Sequence, residues 1–275
     1  MLTALVSLVL LSPTYPWIAD WKGTVPDTAP LEQVFTPPTG FTRIEVTPDG
    51  YAAWLRQLPI RSDRAFVLAY DGSRLSRPSA AIVLLDVGTR DLQQCADSAI
   101  RLHAEYLWSR GRAAKAAYHF TSGDRTRWSD WRRGERFHVR GSKVKRSRGA
   151  GRRGDHASYR RWLDLVFRYA GTRSLRLDSA AVSEKPIEAG DFYVQPGGPG
   201  HAVVVLDIAT HADGRRAALI GQGFMPAEDL HVLRAGHDRV LDDVWFLLPD
   251  AEHSKLSTPS WAPFDRAEAR RFKAR

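Results

Sequence analysis

One cysteine, Cys95, and two methionines are all the sulfur this 275-residue chain carries. A lone cysteine excludes an intrachain disulfide and any multi-cysteine metal site, so stability has to come from packing and hydrogen bonding. Long apolar runs are missing as well. The longest, Leu2 to Leu11, falls short of the roughly 20 residues that a bilayer-crossing helix needs, so no transmembrane span is expected. No H-E-x-x-H, G-x-S-x-G or Walker loop occurs, which argues against zinc-protease, serine-hydrolase and nucleotide-binding chemistry. The glycines between Gly197 and Gly200 are too few, and too interrupted by Pro199, for a dinucleotide loop. No metal or cofactor is expected. Aromatic residues are absent from the most basic stretch, "RGSKVKRSRGAGRRGD" (140–155). Without aromatic interleaving or a recognition motif it reads as a solvated basic loop, and nucleic acid is not the expected partner.

Present in quantity are arginine and tryptophan. The formal net charge is +9 and there are nine tryptophans, with 43% of residues apolar, enough for a substantial core. Such a charge suits attraction to an anionic envelope polymer such as peptidoglycan. The run Leu2 to Leu11 resembles the apolar centre of a secretion signal, so residues 1–20 are read as a signal segment and the protein as exported, periplasmic or cell-envelope. A short amino-terminal helix or strand is the structural alternative. Residues 21–40, Pro-rich and closing on "TPPTG", read as a linker or surface arm, and 41–265 as a single α+β domain.

Within that domain, "RAFVLAY" and "SAAIVLLDV" read as strands. "DLQQCADSAIRLHAEYL" reads as a helix with Asp91 at its cap, and "HASYRRWLDLVFRYAGT" as a second helix stopped by Gly171. The later segments "GDFYVQ", "HAVVVLDIA", "RRAALIGQG" and "VWFLL" read as strands, with a hairpin turn at Asp213-Gly214. The pattern predicts an α+β fold in which amino-terminal helices pack on an antiparallel sheet.

Cys95 falls in the first helical turn, where unpaired amides and the helix dipole favour a thiolate. A buried cysteine is equally at home as a small packing residue. His201 opens an apolar strand after the "GGPG" loop, a position suited to a general base. Gln222, on the strand returning from the hairpin, falls near His201 and would orient its ring, whereas Asp207 lies about 20 Å further up the same strand. Gln94, Asp191 and Gly200 are candidates to shape the site, and Gln93 or Gln94 to help hold an oxyanion. His103, two turns past Cys95, reads as a core histidine. Trp128 and Trp131 are read as core, with sugar stacking as the alternative.

The order of cysteine at a helix start, Gly-Asp strand, Gly-His strand and then a polar residue resembles the papain-like amidases of the NlpC and CHAP type. That resemblance implies a papain-like arrangement and a thiol peptidase or amidase using Cys95, His201 and Gln222. More closely, "YDGS", "DVGTRDLQQCADSAIRLHAEYL", "YAGT", "PGHAVVVLDIA" and "FMPAEDLHVL" resemble the signature blocks of an uncharacterised bacterial domain-of-unknown-function family of exported proteins, over most of residues 40–261. The competing expectation is a non-catalytic envelope protein that binds glycan or a protein partner, with Cys95 merely packed.

Overall fold

In a computed structural model, residues 15–182, 185–235, 240–250, 254–259 and 261–273 are described. Most of the segment read as a signal lies outside them. A ten-stranded antiparallel sheet organises the molecule. In chain order its strands are β1 (Phe41–Arg43), β2 (Ser79–Ile82), β3 (Ser179–Ala181), β4 (Phe192–Gln195), β5 (His201–His211), β6 (Arg216–Gln222), β7 (His231–Leu233), β8 (Val240–Leu241), β9 (Trp245–Leu247) and β10 (Ala269–Phe272). They run β3-β10-β4-β5-β6-β7-β2 across the sheet. β1 continues on β5, and β9 pairs with both β6 and β8. The two long helices are α1 (Cys95–Ser109) and α2 (His156–Tyr169).

The expected helices-first, papain-like arrangement is therefore corrected. The fold is β-rich, six short strands precede α1, and two of them, β1 and β2, belong to the sheet itself. The run SAAIVLLDV does contain β2, but local pattern does not say which strands pair, and it is long-range pairing that assembles the sheet.

β5 is the central strand, and its residues 201–209 are all buried. Two apolar layers result. Ala202, Val204 and Leu206 share a core with Ala96, Ala99 and Ile100 of α1, while Val203, Val205 and Ile208 pack with Tyr193 and Phe264. Phe264 comes from a small hairpin, Lys255–Thr258 with Trp261–Asp265, that covers the second layer. Asp207, buried in β5, is neutralised by Arg43 at 2.6 Å and Arg56 at 2.7 Å, as a buried carboxylate requires.

α2 follows its apolar stripe: Tyr159, Trp162, Leu163, Val166 and Phe167 are buried, and the Asp155 carboxylate caps the helix by accepting from the Ser158 amide at 2.9 Å. Its end differs from expectation. Gly171 is extended, at φ 172°, and caps the short following helix Thr172–Leu175. The 140–155 stretch is not a loop throughout, since Lys143–Arg148 pairs with Glu135–Arg140 as a hairpin. Nor is the amino-terminal arm loose. Thr28–Pro30 pairs with Pro59–Arg61, and buried Trp17 donates its indole N–H to the Leu84 carbonyl at 2.6 Å. Trp128 and Trp131 are both buried and stack on each other, so they are core residues.

Candidate functional site

α1 begins at Cys95, with Gln94 as its cap. The Gln94 amide donates to the Asp97 carboxylate at 3.2 Å, so the capping pair lies three residues later than the Asp91–Gln94 spacing suggested. Asp91 instead accepts from the Gln94 side-chain amide at 2.9 Å and from the Ala227 amide at 2.7 Å. Gln93 is buried, its side-chain oxygen accepting from Arg101, and it does not border the groove beside Cys95.

The first turn of α1 butts directly against the β5–β6 pair. A Cβ placed on Gly223, just past β6, would lie 2.5 Å from Ser98 Oγ, so only glycine lets the helix approach this closely. The Cys95 sulfur consequently meets backbone: it donates to the Gly200 carbonyl at 3.9 Å and receives the Ala202 N–H. Burial, and secondarily the Asp97 carboxylate, push the Cys95 thiol up to about 11. The helix dipole expected to stabilise a thiolate is outweighed by desolvation.

His201 and Gln222 are brought together as a pair, on the other layer. The side chain of His201 alternates with that of Ala202, so it shares the face of Val203 and Val205 rather than the face of α1. Its ring lies against Phe224, Trp261 and Phe264, with centroids 4.7, 5.1 and 6.1 Å away. Nε2 donates to Gln222 Oε1 at 3.0 Å, Gln222 Nε2 donates to His231 Nε2 at 3.4 Å, and His231 Nδ1 donates to the Asp229 carbonyl at 3.1 Å. The one atom left over is His201 Nδ1, buried without a hydrogen-bond partner. Burial holds both imidazoles down, at about 4, hence neutral. Glu228 lies 3.7 Å from His231 and is bonded by Arg77 at 2.8 Å; burial raises its carboxyl to about 7. This relay was only half legible, because His231 in "EDLHVL" carries no local signal of its pairing across Gln222.

The Cys95 side is an open groove of about 490 Å³. Gln94, Asp97, Thr172, the Gly197–Gly200 loop and Met225 border it with Cys95, as do two exposed arginines, Arg168 and Arg173. Neither arginine has an ion pair or hydrogen bond among the described residues. Asp97 contributes an unpartnered oxygen, Oδ1, from a carboxyl that is 5% exposed. Neither His201 nor Gln222 lines the groove. Gly200 does, and an added Cβ there would meet Thr172 Oγ1 at 2.5 Å. Asp191 lies elsewhere: it accepts two bonds from Arg271, at 2.6 and 2.9 Å, and borders a different cleft beside Tyr51. His103 is a packed residue, 2.9 Å from the Tyr118 hydroxyl and stacked on Phe272.

Among the described residues no group of three or more histidine, cysteine or acidic side chains could hold a metal ion, and no helix is long and apolar enough to cross a membrane. Fold and site together define a β-rich domain with an open groove at the start of α1, bordered by Arg168 and Arg173 as well as Asp91 and Asp97, and a buried imidazole relay on the other layer of the sheet. The chain belongs to the family described as a domain of unknown function (4846), whose model matches residues 31–271. No curated protein and no solved structure matches it, and the papain-like resemblance gains no support from these comparisons.

Proposed function

We propose that this protein is a non-catalytic binding protein of the cell envelope whose groove at the start of α1 takes an anionic ligand. One observation carries the reading. The sulfur is hydrogen-bonded to the strand backbone, while His201, the imidazole expected to serve as its base, turns to the opposite layer and is engaged by Gln222. A thiol held protonated with no base at hand is a poor nucleophile. Arg168 and Arg173, by contrast, offer forked donors suited to a carboxylate or phosphate and spend them on no partner among the described residues. The envelope as its place rests on the apolar run Leu2 to Leu11 and the net charge of +9.

Iodoacetamide labelling of Cys95 across pH tests this. Labelling should be slow at pH 7, accelerate only toward pH 11, and be unaffected by His201→Ala. Rapid labelling at pH 7 that slows in His201→Ala would reinstate the thiol hydrolase acting on an amide or ester.

A further inference from the structure

The groove continues past Leu92. That residue also lines a second cleft, of about 500 Å³, whose border includes Trp17, Asp20, Trp21, Lys22, Asp86 and Arg90. One wall is common to both. His156, Arg160 and Asp164 of α2 face the second cleft and Arg168 the first. They recur every four residues and so form one stripe, about 18 Å long at 1.5 Å per residue.

The two ends differ in chemistry. At the first, Arg168 and Arg173 are unpaired cations. In the second, charges are matched and held: Asp164 accepts from Arg90 at 2.8 Å and also pairs with Arg160, while Asp86 accepts from Arg101 at 2.7 Å and from Arg160 at 3.4 Å. Trp21 is half-buried at the edge, with the Arg61 guanidinium 6.0 Å from its ring. A partly open indole beside fixed, planar donors and acceptors suits a hydroxyl-rich ring that must both donate and accept. With Asp20, Asp86 and Asp164 each paired, this cleft offers no net attraction to a uniformly acidic peptide.

Resting on the anion-binding reading above, we propose that the two clefts form one trough for an extended acidic glycan. An uncharged sugar lies against Trp21, and a carboxylate or phosphate of the same chain is held by Arg168 and Arg173. A suitable probe alternates charged and neutral sugars, as a hyaluronan hexasaccharide does, with hexaglutamate as a peptide polyanion of about twice its charge.

Calorimetric titration at low salt should show the hexasaccharide binding more tightly than hexaglutamate. Trp21→Ala should weaken the hexasaccharide about five- to tenfold and leave hexaglutamate unchanged, with Trp21→Phe restoring most of the loss. The double substitution Arg168→Ala/Arg173→Ala should weaken both probes. Loss in the arginine variant without loss in Trp21→Ala would overturn the trough and leave the groove reading standing. Equal or tighter binding of hexaglutamate would overturn the glycan. No hexasaccharide binding, or binding indifferent to both substitutions, would overturn the trough and the groove together.

Discussion

Replacing His201 should destabilise the protein by an amount that depends on pH in a calculable way. The imidazole is buried and held at about 4, against an ordinary value of 6.5, so the unfolded chain binds its proton more readily than the folded one. Stability from this group is therefore complete above pH 6.5 and is lost progressively as pH falls toward 4. Between pH 8 and pH 5 the loss is about 2 kcal/mol, with a slope near 1.2 kcal/mol per pH unit around pH 5.5. The wild-type curve alone mixes opposing contributions. His231, also at about 4, adds a loss of the same sign, whereas Glu228, raised to about 7, is stabilising when protonated and loses that contribution as pH rises through 7. His156 acts in the same direction as Glu228, because its Glu105 and Asp20 partners raise it above the ordinary value despite burial. The difference between wild type and His201→Gln isolates the one imidazole. Urea unfolding of both at pH 8, 7, 6 and 5 should show the cost of the substitution shrinking by about 2 kcal/mol toward pH 5. A cost that stays constant, or grows on acidification, would refute the placement of His201 in the sealed layer.

Gly223→Ala should cost about 1–3 kcal/mol in thermal or urea unfolding, because its Cβ would meet Ser98 Oγ at 2.5 Å, and Ser98→Ala should recover much of that. Arg101→Met should cost about 3–5 kcal/mol, since it removes the guanidinium that holds the fully buried Glu105 carboxylate at 2.7 Å and the Asp86 carboxylate at 2.7 Å, leaving Glu105 to His156; urea unfolding reads this directly. Trp17→Ala should lower stability by about 3–5 kcal/mol, visible as an earlier thermal transition, because a completely packed indole and its bond to Leu84 are lost.

Where local pattern and tertiary demand agree, the sequence could be read. α2 has apolar residues at helical spacing and an Asp155 cap, and the Asp213-Gly214 hairpin sets Thr210 opposite Arg216, which brings Gln222 beside His201. β1 and β2 lie within runs whose composition reads as strand, but their places in the sheet, beside β5 and β7, come from distant partners and left no such trace. The relation of Cys95 to His201 failed to show for a different reason. Strand alternation places His201 and Ala202 on opposite faces, but which face meets α1 is decided by packing: Ala202 and Gly223 are small enough to admit the helix, and aromatic residues far along the chain, Trp261 and Phe264, claim the imidazole. The groove was missed because Arg168 and Arg173 belong to the end of α2 and the short helix after it, whose meeting with the Gly197–Gly200 turn only the fold supplies.

The Gln222 amide has a consequence beyond holding one ring. Its oxygen and nitrogen face two different imidazoles, so the tautomer of His201 and that of His231 are set jointly. Turning the amide over would move the proton of each ring to its other nitrogen, taking His231 Nδ1–H off the Asp229 carbonyl and leaving an unbonded N–H at His201 Nδ1. A single carbonyl just ahead of β7 thus gives a direction to a row of three side chains reaching across three strands.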